Sequence, residues 1–204
     1  MVLASIGLAY WDAIGRTLGK PLWLAWCGHR NRLPLNVIGG YYGPDVKGIY
    51  EVVGWIEAAF QGCKVKVGGR TLAADALRVE AVRRIVGDEF VVTDHAKGYG
   101  LAAAPELRRC TCDLNIHWFE EPCLWSNDRR DMRELRARGG IPVCAGQSEY
   151  SPRECRDLMA AGAIDIYHLD ACCSGGVASW LRPGATSQRR VMSAREWRRP
   201  LRGG

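Results

Sequence analysis

Polar residues that close short apolar runs recur along this chain at nearly constant intervals, and that period is the strongest constraint on its fold. Lys66 lies in Gly62-Cys63-Lys64-Val65-Lys66-Val67-Gly68, and Asp94 closes Phe90-Val91-Val92-Thr93. Glu120 closes Ile116-His117-Trp118-Phe119, Gln147 follows Pro142-Val143-Cys144-Ala145-Gly146, and Asp170 closes Asp165-Ile166-Tyr167-His168-Leu169. The steps from Lys66 onward are 28, 26, 27 and 23 residues. About 25 residues is one strand, one helix and two short loops. Five polar groups at the C-terminal ends of strands in successive βα units are the arrangement of a (β/α)-barrel active site. The expected class is therefore α/β, a TIM-type barrel.

Within that frame Lys64 and Lys66 are the most chemically loaded pair. A strand directs residues i and i+2 to the same face, about 7 Å apart. At an effective dielectric of ~20, two ammonium groups at that distance repel by about 2.4 kcal/mol. That is roughly 1.7 pKa units, enough to make one of them a usable base near neutral pH. Two solvated lysines on an edge strand would show the same sequence.

The remaining elements follow from periodicity and punctuation. Residues 5–26 read as helix, with Ile6, Tyr10, Ala13, Ile14 and Leu18 at helical spacing, a stop at Gly19 and Pro21, and a short second turn from Pro21. Residues 33–40 read as strand one, and 46–62 as a helix with Ile49, Val53, Ile56 and Phe60 on one face. Residues 71–87 and 101–109 read as helices, and the highly charged segment 127–138 as a solvent-facing one. Ser151-Pro152-Arg153-Glu154 supplies an N-cap, a proline at the first helical position and a capping glutamate for the next helix. After Asp170 the repetition stops: Pro183-Gly184 should end a helix opened at Val177 after little more than a turn.

Lys64-x-Lys66, Asp94, Glu120-Glu121-Pro122, Gly146-Gln147, and Asp170 followed by Gly175-Gly176 resemble the enolase superfamily. The branch they resemble most is that of mandelate racemase, muconate lactonizing enzyme and the sugar-acid dehydratases. The resemblance implies an incomplete barrel of about six βα units over residues 33–181. Residues 1–32, whose Trp11-Asp12, Gly15, Gly19 and Pro21-Leu22 are similar to the end of the family's N-terminal capping domain, would be a remnant of that domain. The resemblance further implies one Mg2+ held by Asp94, Glu120 and Gln147, and proton abstraction α to a carboxylate through an enediolate. Lys66 would be the base. Lys64 would depress its pKa or touch the substrate carboxylate, and Asp170 would orient a histidine acid. Three positions depart from the family pattern. Gln147 stands where a glutamate is usual, with Glu149 as a substitute two residues on. Ala96 stands where an asparagine is frequent. No histidine follows His168. The implied activity is a Mg-dependent acid-sugar dehydratase, a lyase, impaired by the missing histidine. The alternatives are a racemase or epimerase of related hydroxy acids, and a non-catalytic fragment that binds metal or anion weakly. The implied partner is a small-molecule carboxylate, a sugar acid, and a complete fold would imply a homo-oligomer.

Charge bears on the remaining partners. Net charge is +6 over 204 residues, and residues 182–204 carry all of it, with seven arginines against Glu196. The rest holds 21 basic and 21 acidic residues, so the body gives no nucleic-acid signal. The basic segment reads as a disordered tail that does not join the barrel, such as a frameshift or truncation would leave. An alternative is a real tail for an acidic partner. No apolar run is long enough for a membrane span, and no signal peptide is read at the start. Nine cysteines without zinc-finger spacing are expected to be reduced thiols, which points to the cytoplasm.

Overall fold

Strand β2 (Gly62–Val67) shows how the architecture follows from the sequence. Cys63, Val65 and Val67 are fully buried on one face, and Lys64 is buried on the other. A strand covered on both faces belongs in a parallel sheet flanked by helices, and that is the fold. In the computed structural model, residues 2–28, 32, 35–39, 45–88, 91–96, 99, 103–124 and 128–186 are described. For 45–50, 91–96 and 182–186 the description is of the backbone.

Helices α1 (Val2–Leu18) and α2 (Leu22–Ala25) precede β1 (Asn36–Gly39). The alternation then continues through α3 (Asp45–Glu57), β2, α4 (Leu72–Val86), β3 (Val91–Ala96), α5 (Ala103–Cys110) and β4 (Phe119–Glu120). It ends with α6 (Asp128–Ala137), β5 (Val143–Ala145), α7 (Pro152–Ala160), β6 (Ile166–Tyr167) and α8 (Val177–Thr186). The six strands lie in chain order in one sheet, and the pairings from β1 to β5 are parallel. Among the described residues this sheet is open, an incomplete TIM-type barrel of six βα units.

Contacts divide the chain into two compact units. One comprises Pro34–Cys144 and Ala161–Ile166, the other Met1–Leu33, Ala145–Ala160 and Tyr167–Gly204. In the first, the core gathers Val52, Val79, Val82, Leu107, Phe119, Met132, Leu135 and Val143. Three arginines fasten its successive repeats. Arg83 of α4 donates to the carbonyls of Leu114 and Asn115 at 2.7 and 2.9 Å. Arg108 of α5 donates to the carbonyls of Leu135 and Ile141. Arg136 of α6 donates to Asp165 Oδ1 at 2.6 Å and to the carbonyl of Gly162 at 3.1 Å. Each reaches the last turn of the next helix or the segment that follows it. Burial pulls the Arg83 and Arg108 pKa values below the ordinary guanidinium range.

Several elements differ from the sequence reading. Helix α3 ends at Glu57, because Ala59 turns to φ +59° before β2 begins at Gly62. Its buried valine is Val52, while Val53 and Ile56 are exposed. The charged helix α6 is amphipathic and buries Met132 and Leu135. Helix α8 continues through Pro183 and Gly184 to Thr186, held by packing against α1 and α7 in the second unit. Strand four of the sequence reading shrinks to Phe119–Glu120, and strand six to Ile166–Tyr167. The arginine-rich segment beyond 186 lies outside the described residues. No described helix is long and apolar enough to cross a membrane.

Candidate functional site

The sheet register sets the geometry of the first unit. Lys66 stands level with His95, His95 with Glu120, and Glu120 with Cys144. Lys64 lies one pleat earlier on the same face as Lys66, level with Thr93. From there its ammonium reaches over β3 to Glu120, with Nζ 2.5 Å from Oε1. Both side chains are almost wholly out of water, at 6% and 2% exposure. A buried carboxylate keeps its charge only with a partner of this kind. Lys66 is less enclosed than Lys64. Asp94 lies on β3 level with Val65 and Phe119, and its side chain is outside the described residues.

The residues next to Glu120 are buried as well. Glu121 is also buried, holds the unusual φ of +42°, and its N–H donates to the Cys144 carbonyl at 2.8 Å. The Cys144 thiol is pushed well above its ordinary range, first by burial and then by the Glu120 charge. Burial likewise pushes the Cys123 thiol, just past β4, up to about 12.

The remaining two expected site residues belong to the second unit and sit on turns rather than strands. Gln147 follows Gly146, whose φ of +134° suits glycine, and where a Cβ would come within 2.9 Å of the His168 carbonyl. The Gln147 Nε2 is buried with no hydrogen-bond partner among the described residues. Asp170 lies three residues beyond β6. Its Oδ1 accepts the Cys172 N–H at 2.7 Å, its Oδ2 lies 3.6 Å from the Cys173 sulfur, and its carbonyl accepts the Ser174 N–H at 2.9 Å. This is a self-contained Asx turn. Glu149 is buried in the same unit.

The sequence reading passed over three residues at the end of β2. Asp75 is wholly buried and accepts from Gly68 N, Tyr99 Oη and Arg78, and the Arg78 guanidinium also donates to the Lys66 carbonyl. The available signal was weak, since an aspartate in the first turn of a helix capped by Thr71 is unremarkable in sequence.

A family model described as Enolase C-terminal domain-like matches residues 50–191. The chain belongs to that family. Arabinonate dehydratase of Saccharolobus solfataricus is 27% identical over 190 residues, covering 89% of this chain and 50% of the relative. L-talarate/galactarate dehydratase of Salmonella typhimurium is 31% identical over 183 residues, covering 88% and 46%. Racemases and epimerases are also among the curated relatives. A mandelate racemase/muconate lactonizing enzyme from a marine actinobacterium, crystallised in complex with magnesium, superposes with a TM-score of 0.87 at 47% identity. The match covers 93% of this chain and 54% of that one. The chain thus spans about half the length of the enolase-family relatives it matches.

Proposed function

We propose that this chain carries the base and metal-holding part of a magnesium-dependent acid-sugar dehydratase site, one that removes the proton α to a carboxylate. The buried Lys64–Glu120 pair, level with Lys66 at the C-terminal end of the sheet, carries the reading. It puts two lysines and a carboxylate on one water-poor face, where electrostatic effects are strongest. The names of the relatives support a sugar-acid substrate, and the magnesium of the actinobacterial structure supports the metal.

By element type the donor set suits that ion, while the strand register sets Asp94 level with Val65 and Phe119, one residue off the face that carries Lys66 and Glu120. Asp94 and Glu120 are hard oxygen donors of the kind magnesium takes. Gln147 has a buried NH2 without a partner among the described residues, and its amide oxygen is a neutral donor of the same hard type. Asp94, Glu120 and Gln147 would hold the ion. When bound, magnesium supplies positive charge that stabilises the negative charge developing on the substrate carboxylate. Lys66 Nζ takes the α proton. Lys64 keeps Glu120 ionised and aimed at the same end of the sheet. Residues 33–181 would form the barrel portion, 1–32 the capping-domain remnant and 182–204 a separate basic tail.

Elimination also needs an acid for the leaving hydroxyl. No histidine follows His168 in the sequence, and both Asp170 oxygens face its own turn. Those observations favour a second reading, in which the 204 residues bind cation and carboxylate without completing dehydration. The test is a panel of acid sugars with magnesium, run on the purified chain and on Lys66→Ala. Exchange of the α proton in D2O is followed by NMR and 2-keto product by assay. The expected result is slow, magnesium-dependent exchange that is lost in Lys66→Ala. Elimination should fall below about 1 s⁻¹, the lower end of the ordinary enzyme range. Exchange that survives Lys66→Ala overturns the assignment of the base. Elimination at or above that rate overturns the impairment and means that another group, such as His95 or His168, serves as the acid.

A further inference from the structure

We propose that Asp75 is the positioning residue for Lys66, acting from α4 through the backbone on either side of Val67. The inference rests on the reading of Lys66 as the base. Lys66 is the penultimate residue of β2, where the sheet ladder is about to stop. Its carbonyl is taken by Arg78 Nη1 at 2.8 Å. Two residues on, the N–H of Gly68 donates to Asp75 Oδ2 at 2.7 Å, with Gly68 at φ +92°. The same Arg78 nitrogen donates to Asp75 Oδ1 at 3.1 Å, so one buried ion pair grips both peptide groups. Tyr99, from the loop after β3, completes the clamp by donating its hydroxyl to Asp75 Oδ2 at 2.6 Å.

Two features separate this from an ordinary helix cap. A carboxylate in the first turn of a helix satisfies the helix dipole from the surface, without burial. Asp75 is instead wholly buried, and its oxygens serve two loops at the C-terminal end of the strands. That is the end where the chemistry of such a fold resides. Holding the peptide groups on either side of Val67 sets where the Lys66 side chain starts from and in which direction its Cα–Cβ bond leaves the strand. A displacement of about 1 Å is enough to cost a catalytic group much of its effect.

The test uses the full chain with Tyr99→Phe and Asp75→Asn. Lysine-labelled protein is followed by NMR, with Lys66→Arg to assign the Lys66 signal, and competitive acylation is mapped residue by residue. Thermal stability is measured alongside. In Tyr99→Phe, which deletes one hydroxyl, the Lys66 side-chain signal should shift and its acylation rate should change at least threefold. Exposed Lys20 should be unaffected. Asp75→Asn should do the same more strongly. If both variants lose stability while the Lys66 signal and acylation rate stay as in the parent, Asp75 is structural and the proposal falls. If Asp75→Asn does not fold, Tyr99→Phe alone decides. None of these readouts involves turnover, so a failed exchange assay with Lys66→Ala leaves this result standing, and the reverse holds as well.

Discussion

The polar residues of β2 and β4 and those after β5 and β6 were expected to be equivalent, and they are built differently. Lys64 and Glu120 lie within strands, lose nearly all contact with water, and depend on one another. Gln147 and Asp170 lie beyond their strands, in turns set by Gly146 and by the Asp170 carboxylate itself. A residue inside a strand has its direction fixed by the sheet register. A residue in a turn has its direction fixed by three or four local hydrogen bonds. The first kind is expensive to disturb and the second is adjustable.

The largest break in that comparison should come from Glu120→Ala. It leaves the Lys64 ammonium buried without its partner, and urea unfolding should show a loss of about 3–5 kcal/mol. The double variant Lys64→Met with Glu120→Leu should recover most of that, because an apolar pair of similar volume avoids the desolvation cost. A double variant as unstable as Glu120→Ala would show that the pair is not the origin of the loss.

A smaller contrast concerns the thiols. Cys123 and Cys144 are pushed up by burial, while Cys172 in the Asp170 turn is exposed. A thiol is neutral when protonated, so a raised folded pKa means that the unfolded state loses its proton first. Stability from Cys123 is therefore full below the unfolded value near 9 and drains away as pH rises toward about 12. The slope is roughly 1.4 kcal/mol per pH unit for each such thiol. Unfolding followed from pH 8 to 11 should show it, and Cys123→Ala should reduce it by the share of one thiol. A disulfide reagent at pH 8 should label Cys172 and spare Cys144.

The smallest effect is expected from Asp170→Ala, about 1 kcal/mol for the lost turn bond. A loss on the scale of Glu120→Ala, seen in the same urea experiment, would erase the distinction between strand-borne and turn-borne residues.

How much of this could be read from the sequence follows the same division. The strands that carry Lys66, Asp94 and Glu120 were visible because apolar β-branched runs bounded by turn residues recur at one spacing. The shared face of Lys64 and Lys66 was visible too, because a strand alternates strictly, whereas Asp94 stands level with Val65 and Phe119. What escaped was whatever depends on a neighbour far along the chain. Val52, not Val53, is buried among the described side chains of α3, because the sheet decides which side of a short apolar helix is inside. Helix α8 runs past Pro183 because packing on α1 and α7 outweighs the one hydrogen bond that proline removes. Asp75 looked like a cap because its partners, Gly68 and Tyr99, are 7 and 24 residues away.

The arginines of α4, α5 and α6 have a further consequence, for cutting and joining. Arg83, Arg108 and Arg136 each bolt one repeat to the segment that closes the next, at the rim opposite the strand ends that carry Lys66 and Glu120. A chain break placed in a loop after a strand falls outside the segments that supply these carbonyls, whereas one after α5, α6 or α7 falls inside them. Circular permutants and split-protein reconstitutions of this unit should therefore succeed at the first kind of joint and fail at the second.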